Sequence, residues 1–200
     1  GTQFNDTLQG SEGDTLDGGG GIDRLTLNLA NATSAVSIDL TQTSDQIAYK
    51  NTKVSNFETV EKITTGSGDD IIKLNVSASG RNGNIDGGAG TDTLILDYSS
   101  YNYYGNNQGV YNTEVNKVKP HNSGEVIASY SNIERFNITG TQFNDTLQGA
   151  NLDDILIGGA GNDTLTGGAG NDSITGDNSQ STTPGKGEID NITGGTGRDT

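Results

Sequence analysis

The chain has 200 residues, of which 31 are Gly and only 29% are hydrophobic, and it carries a net charge of −15. So few apolar side chains cannot build a large conventional core against a backbone ordering cost of about 1–2 kcal/mol per residue. The 26 acidic against 11 basic residues disfavour nucleic acid and anionic membrane surfaces as partners. The absence of Cys rules out disulfides and thiolate metal sites. Such a composition leads either to disorder or to a fold helped by something outside the sequence, and a bound cation is the natural candidate.

In chain order, residues 1–26 form a first Gly-rich block. It opens with GTQFNDTLQ, continues through the shortened GSEGDTLD (10–17) and ends in GGGGIDRLT (18–26). Residues 27–64 form a spacer, within a Gly-free run from 22 to 65. Here LTLNL (25–29) and VSIDL (36–40) alternate apolar and polar residues, the period-two signature of half-buried strands. Residues 65–95 return to glycine with TGSGDDIIK (65–73) and GGAGTDTLI (87–95). Residues 96–139 form a second β-rich spacer, with Tyr98, Tyr101, Tyr103, Tyr104, Tyr111 and the lone His121. A protruding loop is expected over 101–125, the tyrosines are read as packing residues in preference to a carbohydrate or partner surface, and His121 as a solvated loop residue. The two spacers end alike, in SNFETVEKITTG (55–66) and SNIERFNITG (131–140).

From Gly140 to the end, the chain falls into nines: GTQFNDTLQ, GANLDDILI, GGAGNDTLT, GGAGNDSIT, GDNSQSTTP, GKGEIDNIT and GGTGRDT. The shared form is G-G-x-G-x-D-x-U-x, where U is a large aliphatic residue. The whole reads as one continuous all-β array of repeats with longer β-rich coils between them, and as a piece of a longer repetitive protein.

The nonapeptide has a physical logic. Its x-U-x part is extended, and the single aliphatic side chain (Leu147, Leu156, Leu165, Ile174) points inward. The GGxGxD part must turn sharply, and Gly reaches the φ > 0 angles that other residues resist. Such a turn can aim carbonyl oxygens at one point, and the sixth-place Asp adds a carboxylate. Calcium takes six to eight oxygens at about 2.3–2.6 Å, and two facing turns can supply them. Two nonapeptides make one coil, so facing aspartates are expected 18 residues apart, as in Asp145/Asp163, Asp154/Asp172 and Asp172/Asp190. Asp6 and Asp23 are 17 apart across the shortened copy. Fifth-place Asp69 and Asp153 are expected to face solvent.

GGAGNDTLT (158–166) and GGAGNDSIT (167–175) resemble the RTX (repeats-in-toxin), or haemolysin-type calcium-binding, repeat family. The resemblance implies a right-handed parallel β-roll or β-helix solenoid of GGxGxDxUx nonapeptides, with several Ca2+ ions held between repeats n and n+2. Carried onto this sequence, the metal-binding aspartates are Asp6, Asp14, Asp23, Asp70, Asp92, Asp145, Asp154, Asp163, Asp172, Asp190 and Asp199. The turn glycines are Gly18, Gly19, Gly21, Gly66, Gly68, Gly88, Gly90, Gly159, Gly161, Gly168, Gly170, Gly195 and Gly197. Leu152 and Glu188 replace turn glycines, and Ser181 stands where an Asp is expected, which puts calcium in doubt at those turns.

No H-E-x-x-H, G-x-S-x-G, Walker loop or G-x-G-x-x-G occurs, so catalysis is not expected. The functional expectation is a calcium-stabilised structural repeat module of a secreted or cell-surface bacterial protein, such as a surface layer, an adhesin or an extracellular filament, with further copies of itself as partners. The alternative is the accessory repeat region of a secreted enzyme or toxin whose active domain lies outside this chain. No apolar run is long enough for a membrane span.

Overall fold

The computed structural model describes residues 1–76, 82–101, 109–112, 117–120, 126–177 and 188–200. Among these residues every regular element is a strand. The chain divides into two compact units. One comprises residues 1–75, 80–95 and 128–133, the other 76–79, 96–127 and 134–200.

The first unit is built on parallel pairing. Its larger sheet sets Thr7–Ser11, Arg24–Asn28, Thr59–Thr64, Asn84–Asp86 and Ala128–Ser131 side by side. A second sheet pairs Ile71–Leu74 with Ser37–Asp39 in parallel, and the latter with Ile47–Ala48 antiparallel. A third pairs Thr15–Asp17 with Lys53–Ser55. The alternation read in the spacer is that of strands. Leu25, Leu27 and Leu29, then Val36, Ile38 and Leu40, are all buried, while their neighbours face out. Phe57, Val60, Ile63, Ile72 and Ile85 continue the same core. The spacer 27–64 therefore contributes apolar residues that the nonapeptides lack.

In the second unit, Val110–Tyr111, Thr146–Gln148, Thr164–Ala169 and Asn191–Thr196 pair in parallel, with Lys117–Pro120 antiparallel on Val110–Tyr111. The other sheet runs Arg135–Thr139, Ile155–Gly159, Ser173–Asp177, again parallel. Register places like positions of facing coils, not of successive repeats, opposite one another: Leu147 with Leu165 and Leu165 with Ile192, and Ile138 with Leu156 and Leu156 with Ile174. Leu147, Leu156 and Leu165 are buried. Ile174 is only half-buried, because its strand is the edge of its sheet in this unit.

Tyr98 and Tyr101 are buried and meet edge to face at 5.7 Å, so these two pack. Tyr103, Tyr104 and His121 lie outside the described residues, as does most of the loop expected at 101–125.

One expected spacing is corrected. Asp172 does not face Asp190. Thr164 pairs with Asn191, 27 residues on, so Asp163 faces Asp190 and Asp172 faces Asp199. These facing turns are thus nine residues further apart along the chain than the expected 18.

Candidate calcium turns

One bond recurs between facing sixth-place aspartates. The N–H of Asp145 donates to Asp163 Oδ1 (2.8 Å), and that of Asp163 to Asp190 Oδ1 (2.9 Å). On the other side of the unit the N–H of Asp154 donates to Asp172 Oδ1 (2.9 Å), and that of Asp172 to Asp199 Oδ1 (3.1 Å). In the first unit Asp6 donates to Asp23 Oδ1 (2.7 Å) and Asp70 to Asp92 Oδ1 (2.9 Å). One oxygen of each carboxylate thus reaches back to the preceding facing turn. Asp14 differs: it is exposed, and its Oδ2 accepts from the N–H and hydroxyl of Ser11 within its own turn.

The fifth-place side chains form a complementary ladder that sequence reasoning missed. Asn144 Oδ1 accepts the Asn162 N–H (2.9 Å), Asp153 Oδ1 the Asn171 N–H (2.8 Å), and Asp69 Oδ1 the Thr91 N–H (2.8 Å). Asn5, Asn162 and Asn171 do the same toward Ile22, Ile189 and Arg198. Adjacent fifth and sixth places thus bond in opposite directions along the rungs. The recurrence of Asn or Asp before the sixth-place Asp was the available signal. Asp69 and Asp153 are exposed.

The second carboxylate oxygen separates two kinds of turn. Asp23, Asp70, Asp163 and Asp172 are buried, and their Oδ2 atoms have no hydrogen-bond partner among the described residues. Leaving such an acceptor unmade costs about 1–3 kcal/mol, and more when it is charged. In the turns of Asp23, Asp163 and Asp172 the second-place residue is a glycine with positive φ: Gly19 (94°), Gly159 (117°) and Gly168 (109°). At Gly19 the second-place N–H goes instead to Asp17 Oδ1 (3.1 Å). Where the second place is not Gly, the turn closes on itself. The N–H groups of Thr2, Thr141 and Ala150 donate to Oδ2 of Asp6 (2.5 Å), Asp145 (2.6 Å) and Asp154 (2.6 Å). The Thr2 and Thr141 hydroxyls add further bonds to the same carboxylates. The Thr2 N–H, then its hydroxyl, hold Asp6 below the ordinary carboxylate range.

Main-chain oxygens gather at the open carboxylates. A side-chain carbon built on Gly158 would collide with Asp163 Oδ2 and lie 2.8 Å from the carbonyl of Gly176. One built on Gly167 would collide with both Asp172 Oδ2 and the Gly194 carbonyl. Glycine therefore keeps these oxygens together. Gly88, Gly90, Gly161, Gly170, Gly195, Gly197 and Gly21 share positive φ, whereas Gly18, Gly66 and Gly68 are not among the left-handed positions. Gly66 and Gly68 instead make room for the close backbone of Ala32, Ser34 and Ala35. Among the described residues, no three His, Cys, Asp or Glu side chains gather as a metal-holding group. A donor set of carbonyls with one or two carboxylates suits a hard, oxygen-seeking cation such as Ca2+, and not a transition metal. The residues present fit calcium.

Burial pushes Asp163 up to about 7, helped by the nearby charges of Asp145, Asp190 and Asp177. Burial likewise raises Asp145 and Asp154 to about 6. An unfolded Asp titrates near 3.9. The metal-free folded chain thus binds these protons more tightly than the unfolded chain. Their contribution is fully present below about pH 4 and is lost as pH rises through 6 to 7. In chelator, the melting temperature is expected to fall between pH 5 and pH 8, the window these values bracket. Thermal melts followed by circular dichroism check this, and a metal-free chain that gains stability over that range would contradict it.

A model of the RTX calcium-binding nonapeptide repeat matches the chain in four copies, over residues 1–28 and 148–180. These segments contain the turns of Asp6, Asp14, Asp23, Asp154, Asp163 and Asp172, and make up less than a third of the chain. No curated protein matches it.

Proposed function

The chain carries RTX calcium-binding nonapeptide repeats, and from that premise we propose that it is a calcium-stabilised structural module of a secreted or cell-surface bacterial protein. Its nonapeptides wind into a right-handed parallel β-roll, and Ca2+ ions sit between the facing turns. The observation that carries this reading is the set of buried Oδ2 atoms without partners, on Asp23, Asp163 and Asp172, beside converging main-chain carbonyls. A divalent ion supplies the missing counter-charge and ties two turns together. The role is mechanical and not catalytic: the buried carboxylates belong to turns that repeat along the chain. A secreted chain of this kind would fold when it meets calcium outside the cell.

Isothermal titration calorimetry tests the proposal. Calcium is expected to bind with more than one ion per chain. Magnesium, which demands a tighter octahedron at about 2.0–2.1 Å, is expected not to replace it. Absence of binding in millimolar calcium would refute the reading.

A further inference from the structure

We infer that Asn56-Phe57-Glu58 is a three-residue replacement for the six-residue glycine turn, and that it completes a calcium site on the turn of Asp23. The inference rests on the calcium reading of the glycine turns, and it assigns a site to residues outside any nonapeptide.

The strands on either side fix the comparison. Thr59 pairs with Arg24, just as Thr164 pairs with Thr146, so the residue after Glu58 occupies the seventh place of a repeat. On the entry side, the Gly18 N–H donates to the Ser55 carbonyl (3.0 Å), as the Gly140 N–H donates to that of Ile157 (2.7 Å). Ser55 thus corresponds to Ile157, and Asn56 to Gly158. Between these fixed ends a nonapeptide spends six residues and the spacer spends three.

Both ends of the short turn perform the tasks of the long one. The Asp23 N–H donates to Glu58 Oε2 (2.8 Å), the bond that a following sixth-place Asp makes elsewhere. Glu is one methylene longer than Asp, which lets a shorter backbone reach the same donor. At the other end, a carbon built on Gly18 would collide with the Asn56 carbonyl and lie 2.7 Å from Asp23 Oδ2. A carbon built on Gly140 meets the Gly158 carbonyl and Asp145 Oδ2 in the same way. The Asn56 carbonyl therefore occupies the place of a first-position glycine carbonyl. Asn56 has φ of 56°, a left-handed conformation that Asn tolerates better than most residues. Its Nδ2 donates to Asp17 Oδ1 (2.8 Å), which holds the carbonyl in position. Asp23 is 0% exposed, and its Oδ2, next to that carbonyl, has no hydrogen-bond partner among the described residues.

The wiring occurs twice. Ser131-Asn132 follows the same plan: Asn132 has φ of 53°, and its Nδ2 donates to Asp86 Oδ1 (2.7 Å). The Gly87 N–H donates to the Ser131 carbonyl (3.1 Å), and a carbon on Gly87 would collide with the Asn132 carbonyl beside Asp92 Oδ2. Both segments read Ser-Asn-x-Glu in the sequence, at 55–58 and 131–134. A chance turn would not reproduce the left-handed Asn, its carboxylate anchor and its carbonyl placement together. The oxygen-only donor set and the Asp23 and Glu58 charges select a divalent hard cation.

The test uses the full chain, with calcium as the probe. Calorimetry is run on the wild type and on Asn56→Ala, Asn56→Gly, Glu58→Gln and Asp163→Asn. Asn56→Ala and Glu58→Gln are expected to lose one bound calcium or to weaken one class of site by about tenfold, the size seen when metal-site partners are removed. Asn56→Gly keeps the left-handed backbone and its carbonyl, and is expected to retain the site. Hydrogen exchange on the unaltered chain is an independent readout. Residues 53–60 are expected to gain protection at the same calcium concentration as residues 18–24. Unchanged stoichiometry and affinity in Asn56→Ala and Glu58→Gln, with a loss in Asp163→Asn, would overturn this site and leave the glycine turns as calcium sites. No change in any variant would bring down the calcium reading itself.

Discussion

In chelator at neutral pH, the chain is expected to lose most of its β-structure, with the repeats from 140 to 200 losing it most completely. The reason is the imbalance of their interior. Leu147, Leu156 and Leu165 are buried, but Ile174 is half-exposed and Ile192 is 48% exposed, so few apolar side chains hold these rungs. Against this stand the buried carboxylates of Asp163 and Asp172, whose Oδ2 atoms have no hydrogen-bond partner among the described residues. A ligand that binds only the folded form stabilises it by about 2.7 kcal/mol per site at a hundredfold excess over Kd. Three such sites would supply about 8 kcal/mol, comparable with the 5–15 kcal/mol of a whole domain. Removal of calcium therefore removes a decisive share of the stability. Residues 25–40 and 57–63 bury Leu, Val, Ile and Phe side chains and are expected to retain more protection. Far-ultraviolet circular dichroism with and without chelator gives the total change, and hydrogen exchange divides it by segment. A strand signal indifferent to chelation would show that the turns hold without metal.

Asp163→Ala is expected to abolish calcium binding at its turn and to destabilise the calcium-loaded chain, while Asp153→Ala leaves calcium binding close to unchanged. The two residues occupy adjacent places in the repeat but face opposite ways. Asp163 is 1% exposed with one oxygen on the Asp145 N–H and the other without a partner. Asp153 is exposed, and its bond to the Asn171 N–H lies at a surface where water can replace it. Loss of such a bond costs about 0.5–1.5 kcal/mol. The metal-free state provides a further discriminator. There Asp163 is a buried carboxylate pushed up to about 7, so its removal takes away a desolvated charge. Asp163→Ala is thus expected to be destabilising with calcium and close to neutral without it. Titration calorimetry and urea unfolding in both conditions separate these effects, and equal loss of binding in the two variants would mean that the fifth and sixth places share the ion.

The nonapeptide made the turns legible because its geometry is local. A glycine at φ > 0, an aspartate four places after it and an aliphatic residue two beyond that can be read without knowing the rest of the fold. Strand character in the spacers was legible for the same reason, since alternation over LTLNL and VSIDL decides which side chains are buried. What could not be read was how far apart two turns lie along the chain when they meet. The pairing of Asp163 with Asp190 follows from strand register between Thr164 and Asn191, and no letter of the repeat encodes which later strand a given strand will meet. Nor did composition show which turns close on themselves. That depends on a single N–H, at Thr2, Thr141 or Ala150, which donates to the carboxylate of its own turn. Asn56-Phe57-Glu58 escaped notice because it reproduces the bonds of the glycine turn with none of its letters.

The facing acidic residues are separated by 17 positions at Asp6 and Asp23, 22 at Asp70 and Asp92, 27 at Asp163 and Asp190, and 35 at Asp23 and Glu58, yet each pair makes the same main-chain bond. Identical clasps accept sleeves of different length. Growth of the polypeptide between clasps is therefore nearly free of structural consequence, since each doubling of an excursion adds only about 0.6 kcal/mol of closure entropy. A lineage of such chains can vary what it displays between the clasps, lengthening or exchanging whole segments, while the fastening itself stays constant.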